Sequence, residues 1–171
     1  LTNSFFNDSD FSETIIEDVD AENSQWCRAF IEKTSFQRSN LHKANFNGAD
    51  LNNVDFSFAT LSETQFKKSN QKSSLYVSTN LVQSKFSQSK MEECQFEDVN
   101  LNDSKFPLAN LQNSKFLNSE MQNCNFALTQ IANCQFEGNE AEKINFDQAK
   151  LNFVHFKDSN ISEGNFLTKE C

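Results

Sequence analysis

Apolar residues recur in this chain every five positions. In LQNSKFLNSEMQNCNF, residues 111–126, Leu111, Phe116, Met121 and Phe126 are separated almost entirely by polar or small residues. The 35 positions numbered with a final 1 or 6 run from Leu1 to Cys171, and all but Gln71 are apolar. Of the 17 that end in 6, 14 are Phe, the others being Ile16, Trp26 and Tyr76. Those that end in 1 are mostly Leu, Ile or Met. Two residues before these centres, 31 of 34 positions hold Ala, Ser, Thr, Cys, Val or Gly, with Asn139, Ile144 and Lys169 departing. The position just before the centre is Asn or Asp in 14 of 34 cases.

Neither regular backbone buries this pattern. A helix turns about 100° per residue, so a step of five scatters the centres around its axis. A strand alternates faces, so an odd step sends successive centres to opposite sides. Every centre points inward only if the chain bends once per five residues. Four such sides close a square coil of 20 residues, and stacked coils hydrogen-bond side on side. With four sides, Phe stacks on Phe along two opposite walls and Leu on Leu along the other two. The small residue two before each centre follows from the narrow interior. The expected fold is all-β, a single solenoid domain over residues 1–171, with about eight coils rising about 4.8 Å each. Three Gly and one Pro are too few for so many bends, so other residues must turn the chain.

The segment ANFNGADLNNVDFSFATL, residues 44–61, resembles the A(D/N)LXX pattern of the pentapeptide-repeat proteins almost letter for letter. The resemblance covers the whole chain and implies a right-handed quadrilateral β-helix. It also implies one specific activity. Qnr-like and MfpA-like members are dimeric acidic rods that protect DNA gyrase or topoisomerase IV from quinolones by occupying the DNA groove. This sequence departs from them in its unbroken register, which leaves no room for the loop insertions of many Qnr proteins.

The chemistry-bearing residues do not converge. Cys94, Cys124 and Cys134 fall on the small inward position, Cys27 on an outward one and Cys171 on a centre. Five Cys at irregular spacing make neither a disulfide framework nor a zinc site, and suggest a reducing compartment. His42 and His155 lie on different sides of the square. Carboxylates are outward on a convex rod, and phosphate loops, GxSxG and HExxH motifs are absent. The expectation is a non-enzyme without metal or cofactor. No run of about 18 apolar residues marks a membrane span.

What remains is surface. Leu108 and Leu128 break the outward polar rule 20 residues apart, with Pro107 and Ala127 beside them and Leu167 farther along. Phe58, Leu75, Val77 and Val82 form a second apolar group around Gln71, where one reading has the coil distorted and Leu75 turned inward. The formal charge of −9 is uneven. Asp8, Asp10, Glu13, Glu17 and Asp18 precede the first basic residue, and Glu92, Glu93, Glu97 and Asp98 form a second acidic stretch. That sign disfavours direct nucleic-acid binding. Two functions stand at this point. One is a rigid protein-interaction scaffold or adaptor, a module of a bacterial effector acting in the bacterial cytoplasm or a host cell. The alternative is an acidic DNA mimic that binds a type II topoisomerase. The start without Met and the bare last centre suggest either flanking sequence or an end-to-end homodimer.

Overall fold

The structure is a computed structural model that describes residues 1–167; Lys169 and Cys171, singled out above, lie outside the described residues. Parallel bridges join each residue that precedes a centre to the one 20 later, from Phe5↔Gln25 to Asn145↔Asn165, so the square coil is the observed fold. Side A carries the centres Leu41, Leu61 and Leu81; side B carries Phe46, Phe66 and Phe86; side C carries Leu51, Gln71 and Met91; side D carries Phe56, Tyr76 and Phe96. From residue 70 on, sides C and D lengthen into strands. These are β1 (Asn70–Lys72) and β2 (Leu75–Val77), β3 (Lys90–Glu92) and β4 (Gln95–Glu97), β5 (Asn110–Gln112) and β6 (Lys115–Leu117), β7 (Gln130–Ala132) and β8 (Gln135–Glu137), and β9 (Lys150–Asn152) and β10 (His155–Lys157). The odd strands form one parallel sheet and the even strands another, each in a constant 20-residue register.

The corners show what replaces glycine. Among the described residues, the second residue after each centre has positive φ, for example Lys68 (60°), Asp103 (62°), Leu108 (61°) and Leu128 (60°), and only Gly48 and Gly138 in that row are glycine. On sides A and B the centre's carbonyl accepts the amide three residues on, as for Leu41 from Ala44 (2.9 Å) and Phe106 from Ala109 (3.0 Å). With positive φ at the third residue, this is the pattern of a type II turn. Several corners after sides C and D lack this backbone bond, and there the next coil supplies the missing link. Ser39 Oγ accepts from the Val19 amide (3.2 Å) and donates to the Ile16 carbonyl (2.9 Å). Ser74 does the same for Val54 (3.3 Å) and Leu51 (2.5 Å). Asn139 closes the corner below it more fully: Oδ1 accepts the Ser119 amide (2.9 Å) and Nδ2 donates to the Phe116 carbonyl (2.8 Å). Its departure from the small-residue rule is therefore functional in the fold.

Inside, the aromatic centres form two columns. On side B, Phe66–Phe86–Phe106–Phe126 stack at 4.8, 4.7 and 4.4 Å between centroids, and on side D, Tyr76–Phe96–Phe116–Phe136 stack at 4.6, 4.6 and 4.7 Å. The columns also touch across the axis edge to face, as in Phe106–Phe116 at 6.3 Å and 85°. That satisfies the ring quadrupoles in both directions. Gln71 does not distort the coil, so the reading that turned Leu75 inward does not hold. That glutamine is fully buried in β1, opposite Met91, with Nε2 donating to Ser69 Oγ (2.8 Å) and Oε1 accepting the Tyr76 hydroxyl (2.7 Å). Leu75 correspondingly stays outside, 37% exposed. Among the described residues, no buried side-chain polar atom lacks a partner.

Candidate interaction surface

The corner between sides B and C carries Leu108 and Leu128 on adjacent coils, 54% and 46% exposed. Pro107 and Ala127 precede them and are half-buried. Pro107 suits the second position of its turn because its fixed φ is the one required there. The leucines are disfavoured twice. Their side chains meet water, and a non-glycine residue in the left-handed region costs about 1–2 kcal/mol that Asn, Asp or Gly would lower. Leu167 continues the row of Pro107 and Ala127 toward the end of the rod, 68% exposed.

The second group separates. Phe58 and Val77 share the corner between sides D and A, joined by the Phe58 amide donating to the Val77 carbonyl (2.8 Å), and Leu75 lies beside them on side D. Phe58 is 57% exposed and also has positive φ. Val82 belongs to the following corner, with the bridge residue Asn80 and the buried centre Leu81 between. The structure thus assembles three of these four residues.

The nine acidic residues spread over several corners, and many meet a cation one coil away. Arg28 donates to Asp8 through Nε (2.7 Å) and Nη2 (2.6 Å), holding that carboxyl below its usual 3.8. Arg38 does the same to Asp18 (2.8 Å through each of Nε and Nη2) and reaches Glu17 (2.9 Å). Lys33 pairs with Glu13 (3.2 Å) and Lys72 with Glu92 (3.6 Å). Asp10 is held low by the Ser12 hydroxyl (2.6 Å) and the Ser12 amide (2.9 Å). Glu93 accepts from Ser73 (2.9 Å) and Glu97 from Gln95 (2.6 Å); Asp98 is exposed at its corner. Numbering the sequence in twenties places Asp8 beneath Arg28, Glu13 beneath Lys33 and Asp18 beneath Arg38, a signal that reading the charges linearly missed.

Among the described residues, the cysteines and histidines are not brought together. Burial pushes the Cys94 thiol up to about 12 and raises those of Cys124 and Cys134, and each donates to a backbone carbonyl. Cys27 is half-buried at its corner. His42 meets Ser62 Oγ through Nδ1 (2.7 Å), while His155 is exposed on β10, on another side of the rod. Among the described residues, no group of His, Cys, Asp and Glu is arranged to hold a metal, and no helix is long and apolar enough to cross a membrane. A shallow groove of about 370 Å³ is lined by Glu63, Gln83, Lys85, Asp103, Lys105 and Asn123.

Comparison with known proteins matches the pentapeptide repeat region at residues 69–146 and 89–166, and pentapeptide repeats at residues 33–70. No curated protein matches the chain in sequence. Among solved structures, a trypsin-treated form of QnrB1, a plasmid-mediated fluoroquinolone resistance protein, is similar at TM-score 0.55 and 15% identity, over 91% of this chain and 78% of that one. A second trypsin-treated QnrB1 form gives 0.53 and 16%, over 92% and 79%. HetL, a protein involved in heterocyst differentiation regulation from the cyanobacterium Nostoc sp., gives 0.50 and 12%, over 94% and 89%. At these identities the likeness is one of fold. The repeat matches, the 20-residue coil and the stacked aromatic columns together make this chain a member of the pentapeptide-repeat family.

Proposed function

We propose that the protein is a rigid, non-enzymatic scaffold that docks a protein partner on the corner formed by Leu108 and Leu128. The carrying observation is that two adjacent coils put an exposed leucine in a left-handed backbone position, where Asn, Asp or Gly costs less in both respects. A solenoid serves such a role well, because neighbouring coils fix the spacing of surface side chains that are far apart in sequence.

The acidic-mimic reading has less support. QnrB1 lends it a precedent of fold, but five of the nine residues in the two acidic stretches are ion-paired, which lowers the negative field they present. The test compares immobilised wild-type protein with a Leu108→Ser/Leu128→Ser variant in lysate capture, with both rods checked by circular dichroism. A binding protein retained by the first and lost by the second is expected; identical retention would overturn the docking corner. In parallel, a gyrase supercoiling and cleavage-protection assay should show no effect, and inhibition at micromolar protein or below would replace this reading by the topoisomerase one.

A further inference from the structure

The rod is laterally polar in charge. Along the Leu108–Leu128 corner and its two flanking sides, between Gln65 and Lys150, stand Lys67, Lys68, Lys72, Lys85, Lys90, Lys105 and Lys150 against two carboxylates, Asp147 and Glu92, the latter paired with Lys72. Around the diagonally opposite corner, between Leu75 and Asn160, stand Glu97, Asp98, Glu120, Glu137, Glu140 and Asp158 against Lys115, His155 and Lys157. A chain of net −9 thus carries a basic ridge, and the ridge surrounds its two exposed corner leucines.

Most lysines of the ridge are also uncommitted. Arg28, Lys33, Arg38, Lys43, Lys72, Lys143 and Lys157 each hold a carboxylate. Lys67, Lys68, Lys85, Lys90 and Lys105 are exposed and make no ion pair among the described residues, although Lys85 and Lys105 share the shallow groove with Glu63 and Asp103, and Lys90 shares a second one with Glu92. Bridge pairing puts Lys85 directly beside Lys105 on side B, and Lys90 faces Asn110 across β3 and β5. Adjacent like charges repel, so this arrangement favours an anionic occupant.

We infer that the ridge docks an acidic protein segment bearing apolar side chains, which pack on Leu108 and Leu128 while its carboxylates meet the surrounding lysines. This deepens the docking reading above and rests on it. A protein segment fits better than a phosphate polymer, because the two leucines stand at the apex where phosphates would arrive, and the rod's overall charge repels a polyanion at long range. A membrane surface fits less well, since one convex corner with two leucines buries little apolar area.

The test is selection of a random phage-displayed peptide library on the immobilised intact protein at low salt. Enriched peptides should combine Asp or Glu with large apolar residues. Their affinity should fall roughly three- to tenfold in a Lys85→Gln/Lys105→Gln variant, weaken with added salt, and vanish in Leu108→Asn/Leu128→Asn. Peptides that need the leucines but ignore the lysines and salt would overturn the acidic chemistry and leave the docking corner standing. Peptides indifferent to both would overturn the docking corner as well. Duplex DNA and phosphatidylglycerol vesicles are run against the same variants; lysine-dependent binding of either, without lysine-dependent peptides, would assign the ridge to phosphate and overturn the inference.

Discussion

At the scale of the residue, two positions separated by a single amino acid have opposite requirements. Phe126 is fully buried between Phe106 and Phe146, whereas Leu128, two residues later, is exposed with φ of 60°. Leu128→Asn should therefore raise stability, by about 0.5–1 kcal/mol in guanidinium melts, because Asn tolerates the left-handed region. Phe126→Asp buries an unpaired charge among stacked rings and should cost more than about 4 kcal/mol. An unchanged melt for Phe126→Asp would mean that the inward row has been misassigned. The five-residue period made this inside–outside distinction legible from the sequence alone. The backbone sign at Leu108 and Leu128 was not legible, because side-chain polarity does not report which of two outward residues takes positive φ. The scarcity of glycine says only that other residues make the bends, and the fold accepts them in the left-handed region because each bend is held by its hydrogen bonds and by the coils on either side.

At the scale of the side and its corner, polar exceptions to the apolar pattern prove to be paired. Tyr76 and Gln71, on neighbouring sides of one coil, share a hydrogen bond of 2.7 Å in the core. Tyr76→Phe leaves the Gln71 carbonyl oxygen buried without that partner and should cost about 1–3 kcal/mol. Adding Gln71→Leu should recover most of the loss, and a double-mutant cycle without coupling would show that the pair is not a unit. Asn139→Ala should cost about 1–3 kcal/mol by opening the corner between Phe116 and Ser119, with Asn139→Ser intermediate, again read from denaturant melts. Polarity at the single centre Gln71 does not by itself decide between a distorted coil and a paired core residue. Its partner lies five residues on, one bend away, and only the closed square brings the two side chains together. Asn139 was equally opaque, since its role is to satisfy two backbone groups 20 and 23 residues back.

For the whole molecule, charge has to be read around the rod as well as along it. Asp8, Asp10, Asp18 and Asp20 in the first coil, and Glu137 near the other end, all have carboxyls held below their ordinary values. For each, the folded value lies below the unfolded one, so its contribution is present above the ordinary 3.8 of an aspartate or 4.5 of a glutamate and is lost as pH falls through the depressed value. The first coil should thus loosen below about pH 4 before the middle of the rod does. Trp26, the single tryptophan, packs on Phe6 and Phe11 of that coil and reports it. Its fluorescence should change at a higher pH than the far-ultraviolet circular dichroism; coincident transitions would show that the ion pairs do not act locally. A different consequence follows from the two aromatic columns and concerns how such a chain can change length. Removing five residues would slide every later Phe onto a wall of Leu and exchange each hydroxyl-bridged corner for another. Removing 20 leaves every ring above a ring and every bridging side chain above its corner. Viable length in this protein is therefore quantised by the coil, and growth or loss by whole turns is the change its interior resists least.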